Sequence, residues 1–168
     1  MTDLTNTTSR TRTFSWENPR QSARIVRKLS GLQTLDASLR GEFPDPPMAH
    51  LLGTTLIEAE YGWAVFTFTP AEFHCNFFGT VDGGMITTVV DSALGCAIQS
   101  TLPAGDYGVT QGLQLRFLRP LPLDAGPIRV EAEVILVGVA TATAQARVVD
   151  EDERQYVYAT TTFLIYRR

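Results

Sequence analysis

The strongest pattern in the chain is an apolar stretch that opens on Gly83-Gly84 and runs to the turn cluster Pro103-Ala104-Gly105-Asp106. Met85, Ile86, Val89, Val90, Ala93, Leu94, Cys96, Ala97 and Ile98 recur at helical intervals and leave almost no polar face. They predict about five turns of helix, and a helix apolar nearly all round belongs inside a protein. Strand patterns flank it. Leu56–Tyr61 and Trp63–Thr69 come first, and in the second Val65, Thr67 and Thr69 alternate with Ala64, Phe66 and Phe68. Gly108–Leu118, Ile128–Val137, Ala140–Asp150 and Gln155–Tyr166 follow. The connections among these, Pro120–Pro127 included, are short, which argues for antiparallel neighbours. Strands, one long helix and more strands predict an α+β fold, a curved antiparallel sheet around one central helix.

Ahead of this unit the pattern changes. Residues 1–13 are polar and rich in Thr and Ser, and are expected to be disordered. Between Pro19 and Arg40, Ala23, Val26, Leu29 and Leu32 recur at three-residue steps, with Gly31 expected to break the segment into two short helices. Arg20, Arg24, Arg27 and Lys28 read as a solvated face, with phosphate binding a distant second. The proline-rich Gly41–Pro47 segment ends it. Residues 1–47 are thus read as an N-terminal extension, and residues 48–168 as the main domain, which opens on a short helical turn at Met48–Leu52.

Composition narrows the function. A chain of 168 residues suits one domain with a sizeable core. Its net charge of -4 weighs against a nucleic-acid surface, which needs a basic patch. No stretch of about 18 apolar residues predicts a membrane span, and the first residues lack an apolar signal region, so a cytoplasmic protein is expected. Cys75 and Cys96 fit no metal spacing and read as two reduced thiols, a disulfide being the minor alternative.

Two features carry candidate chemistry. A helix start leaves backbone N–H groups unpartnered at the positive end of its dipole, and Gly83 and Gly84 allow close approach. Such a corner can hold an anion or a developing oxyanion; a tight turn with no ligand is an equal reading. Asp91 is a carboxylate in the middle of an apolar helix, where a charge is costly unless paired, hydrated or used. It is either satisfied by Thr87, Thr88 or backbone, or it is a working group. Eight residues of helix separate Gly83 from Asp91, about 12 Å. One small substrate group cannot touch both in one helix, so a joint role demands a homodimer.

The pattern Asn76-x-x-Gly79-Thr80-x-x-Gly83-Gly84, with Asp91 following, resembles the PaaI-like acyl-CoA thioesterases of the hotdog-fold superfamily. Leu102-Pro103-Ala104-Gly105, Phe117-Leu118-Arg119-Pro120, Ala144–Asp150 and Tyr158-Ala159-Thr160 add to the likeness, as does Trp16-Glu17-Asn18-Pro19. It spans residues 45–166 and implies a hotdog fold, hydrolysis of an acyl- or aryl-CoA thioester, a homodimer or dimer of dimers, and no cofactor or metal. It also implies roles. Gly83 would polarise the thioester carbonyl through its N–H, with Asn76 assisting and Gly84 and Asp82 beside it. Asp91 of the partner subunit would activate or align water, or attack the carbonyl. Thr110 would stand near that water.

Two positions depart from the family. Asp82 stands where His usually precedes Gly-Gly; it is suited to cap the helix, and it places negative charge beside an oxyanion. Gly138-Val139-Ala140-Thr141 lacks the usual basic residue, leaving the CoA phosphates to Arg116, Arg119 or other arginines, whose alternative role is solvation. Phe73, Phe77 and Phe78 are suited to line an acyl or aryl pocket and equally to pack a dimer interface. His74 with Asp91 loosely matches the histidine–carboxylate pair of hotdog dehydratases, but a structural loop histidine fits better. A hydratase or dehydratase and a non-catalytic acyl-CoA-binding protein are the alternatives.

Overall fold

The computed structural model describes residues 8–167. The disorder expected for residues 1–13 falls outside this range for the first seven. Residues 8–18 carry no regular secondary structure but are tied to the body. Arg10 pairs with Glu72 at 2.5 Å, and Arg12 donates to the carbonyls of Leu51 and His50 while its guanidinium lies 3.7 Å above the Phe73 ring.

The extension forms α1 (Pro19–Val26), α2 (Gly31–Leu39) and α3 (Pro47–Leu52). The segment divides into two short helices, as expected; the break falls at residues 27–30, and Gly31 is the first residue of α2. Ser30 and Gln33 form a reciprocal capping box just there. The glycine is needed for another reason. A Cβ on Gly31 would stand 1.5 Å from the Gln99 carbonyl oxygen, and its N–H donates to Leu102 O at 3.0 Å. Backbone lies on backbone, and this pins the extension to the end of the central helix.

That helix, α4 (Gly83–Ser100), buries Met85, Ile86, Val89, Val90, Ala93, Leu94, Ala97 and Ile98. Fully burying a side chain the size of Leu94 or Ile98 is worth about 1.5–3 kcal/mol, so α4 is held by the sheet rather than by propensity. The sheet comprises β1 (Thr55–Glu60), β2 (Trp63–Phe68), β3 (Tyr107–Phe117), β4 (Ile128–Val137), β5 (Thr141–Val149) and β6 (Gln155–Tyr166). All pairings are antiparallel, in the order β1-β2-β4-β5-β6-β3. One neighbour relation differs from expectation. β3 and β4 are not paired despite their short connection, because the chain from Leu118 to Pro127 crosses to β2 and leaves β3 at the edge beside β6.

β3 also carries a bulge. Tyr107–Thr110 pair with Tyr166–Phe163, and Gly112–Phe117 pair with Thr162–Val157, so Gln111 is an extra residue. Ahead of it Gly108 and Thr110 face α4; after it Leu113 and Leu115 pack on the core and Phe117 reaches the start of α4. A one-residue insertion exchanges the faces of a strand. Without it, Thr110 and Phe117 would lie on opposite faces.

Candidate active site

The corner ahead of α4 is built by a loop that bonds to itself. The Asn76 carboxamide oxygen accepts from the N–H of Phe78 at 2.8 Å and of Thr80 at 3.4 Å, while its amide donates to Thr80 Oγ1 at 2.9 Å. Gly79 turns at φ +75°, where a side chain would be strained. Phe77 and Phe78 project from this loop at 106% and 91% exposure, so neither lines a pocket within one chain. Val81 N–H donates to Leu121 O and Asp82 N–H to His74 O, which delivers the chain to the helix.

Asp82 is the helix cap. Its Oδ1 accepts from Gly84 N–H at 2.8 Å and Met85 N–H at 3.3 Å. A Cβ on Gly84 would sit 3.0 Å from that oxygen, and one on Gly83 would sit 3.3 Å from the Phe117 ring. The glycine pair therefore has a packing reason at each position. Asp82 also takes two of the N–H groups that an anion would use, and the Gly83 N–H lies outside its cap.

Asp91 lies a little over two turns along α4. Thr87 and Thr88 do not satisfy it, since their hydroxyls donate to the carbonyls of Gly83 and Gly84. Thr110 does: its Oγ1 donates to Asp91 Oδ1 at 2.8 Å. The pair lines a cavity of about 690 Å³ between the extension and the body. Cys96 lines the same cavity, and burial pushes its thiol up to about 12, which leaves it protonated and unreactive.

The remaining candidates are scattered. His74 is 4% exposed; its Nδ1 accepts from Ala71 N–H at 3.1 Å and its Nε2–H donates to Leu52 O at 2.9 Å. Burial, and more weakly the charge of Arg12, hold its imidazole below the ordinary 6.5, so both nitrogens are in structural use by a neutral ring. Arg116 and Arg119 are exposed on and beyond β3. One cation escaped the sequence reading. Arg167 donates to the carbonyls of Gly138 and Val139 and pairs with Asp106 at 2.8 Å, placing a guanidinium at the β4–β5 turn that lacks its own basic residue. Among the described residues, no group of three or more His, Cys, Asp or Glu could hold a metal ion, and no helix is long and apolar enough to cross a membrane.

A six-stranded antiparallel sheet around one long helix is the hotdog fold, and solved hotdog structures superpose on it. The E. coli PaaI protein of the phenylacetic acid degradation operon aligns at TM-score 0.71 and 21% identity, covering 82% of this chain and 97% of its own. A Streptococcus mutans protein bound to acetyl CoA aligns at 0.63 and 22%, covering 68% and 90%. A Ralstonia eutropha protein described as a putative thioesterase related to phenylacetic acid degradation aligns at 0.70 and 26%, covering 77% and 98%. The family model described as Thioesterase superfamily matches residues 78–157. No curated protein matches the chain. The chain thus resembles the PaaI-like hotdog thioesterases in sequence and in fold.

Proposed function

We propose that this protein hydrolyses an acyl- or aryl-CoA thioester to the carboxylic acid and CoA, in sites shared by two copies of the chain. The observation that carries this reading is the Asp91–Thr110 pair: a carboxylate held by a hydroxyl, opening on an apolar cavity. Water adds to the thioester carbonyl while Asp91 takes its proton; alternatively, Asp91 attacks the carbonyl itself, and water then hydrolyses the resulting acyl–aspartyl anhydride to the acid and the free carboxylate. The oxyanion rests on the Gly83 N–H, and collapse expels the CoA thiolate, which the proton neutralises. Asn76 supports this role through its loop, since its carboxamide shapes the corner.

The edge strand supports the shared site. Thr110 stands by Asp91 and Phe117 by Gly83, about 20 Å apart along β3. An unpaired edge invites another strand. Two β3 edges pairing antiparallel about a twofold near Leu113 and Gln114 set Thr110 of one chain beside Phe117 of the partner subunit. That pairing brings the Asp91 of one chain to the Gly83 corner of the other, which one helix cannot do. Phe77 and Phe78, bare in one chain, are suited to be covered by such a partner. In this reading Arg116 and Arg119, exposed on and just beyond this edge, and Arg167, at the β4–β5 turn, are the cations offered to the CoA phosphates.

The test is hydrolysis of an acyl-CoA panel, read as free thiol. Asp91→Ala abolishes it. Mixing Asp91→Asn with Gly83→Pro, which removes the corner N–H at a position that accepts proline, restores about a quarter of wild-type activity, because half the dimers are mixed and each holds one intact site. No recovery after subunit exchange overturns the shared site. One observation favours a second reading, a non-catalytic acyl-CoA-binding protein: Asp82 occupies part of the anion corner. CoA binding without hydrolysis at any chain length decides for it.

A further inference from the structure

The cavity of about 690 Å³ is closed on one side by the N-terminal extension. Its floor is α4, through Asp91, Ser92, Gly95, Cys96 and Gln99, which span about 12 Å of helix axis. Val26 of α1, Leu35 of α2 and Phe43 stand opposite. We propose that this chamber takes the acyl part of the thioester, and that the extension, by closing it, selects a medium-length aliphatic chain over an aryl group. The proposal rests on the thioesterase reading and adds the substrate class.

Three observations carry it. The first is length. The floor runs about 12 Å along α4 from Asp91 to Gln99, a path that an extended chain can follow and that a compact aryl group of the same carbon number cannot. Unfilled apolar space forfeits contacts that a chain running toward Gln99 would make. The second is charge. The charged residues lining the chamber are Glu17, Asp45 and Asp91, with no Arg, Lys or His among them. The CoA phosphates are excluded, while methylenes gain by leaving water. The third is continuity. Asp91 belongs both to the chamber and to the pair with Thr110, so a carbonyl at the carboxylate has its chain inside. The roof is fixed in place, because Gly31 seats α2 against Gln99 and Leu102.

Ser38→Phe on α2 and Cys96→Phe on α4 fill the chamber from opposite walls. In the full-length protein, kcat/KM is measured for acetyl-, octanoyl- and phenylacetyl-CoA, with circular dichroism confirming the fold. Wild type prefers octanoyl- to phenylacetyl-CoA at least tenfold, and either filled variant lowers the octanoyl-to-acetyl ratio at least tenfold. A phenylacetyl preference, or an unchanged ratio in both folded variants, overturns the proposal. Calorimetric binding of octanamide, a neutral eight-carbon acyl group, tests the chamber without turnover. If wild type hydrolyses nothing, the thioesterase reading fails; octanamide binding that is lost in both variants still supports the chamber, and no binding by wild type overturns it.

Discussion

Asp82 does two jobs that one substitution separates. Its Oδ1 caps two N–H groups of α4, and its charge stands beside the N–H proposed for the oxyanion. Asn caps as well as Asp does, so Asp82→Asn keeps the hydrogen bonds and removes the charge. We take an oxyanion on the Gly83 N–H to lie on the order of 5 Å from that carboxylate, one hydrogen-bond length beyond the capped turn. Repulsion at that distance is about 0.8 kcal/mol in water and about 3 kcal/mol at an effective dielectric constant of 20. Asp82 is exposed, so the lower figure governs. It corresponds to about a fourfold gain in kcat/KM. Thermal melting alongside the thiol assay completes the experiment. Asp82→Asn melts close to wild type, whereas Asp82→Ala loses the cap, about 1 kcal/mol, and melts roughly 2–4 °C lower. If Asp82→Asn melts like wild type yet turns over every acyl-CoA no faster, the charge does not oppose the reaction and the oxyanion is not at Gly83.

Two further outcomes follow from the same geometry. Thr110→Val removes a hydrogen bond to a charged group, worth about 1.5 kcal/mol at the lower end, and lowers kcat about tenfold with KM little changed; a rise in KM with kcat intact assigns Thr110 to substrate binding instead. The unfolded chain protonates His74 near 6.5 while the folded one resists it, so this contribution to stability is complete above that pH and is lost as pH falls toward the lower folded value. The melting temperature therefore drops more between about pH 7.5 and 5.5 in wild type than in His74→Gln, and equal drops refute the assignment.

How much was legible in the sequence depends on the range of the forces involved. Local periodicity located α4 and all six strands within a residue or two, because burial on one face imposes its own spacing. The division into two short helices at Gly31 was legible, but the reason for the glycine was not, because its constraint is the Gln99 carbonyl, distant in sequence. The β3–β4 relation was misread because loop length reports how far a chain travels, not which strand it meets. Asp91 stood out as a lone charge among apolar residues. Its partner Thr110 was suggested by family likeness alone, since the bulge at Gln111 that aims it depends on the register with β6. The chamber left no trace in any pattern, being the space between an extension and a helix that dock through backbone contact. Arg167 was overlooked because only the folded chain carries the C-terminus to the Gly138 turn.

The extra residue at Gln111 has a consequence for how this protein can change over time. Because Thr110 and Phe117 share a side of β3 only by virtue of the one unpaired residue among the six between them, the strand tolerates exchange of one amino acid for another far better than a change in its length. A single codon lost there would turn half the ribbon over, and every later side chain would point the wrong way.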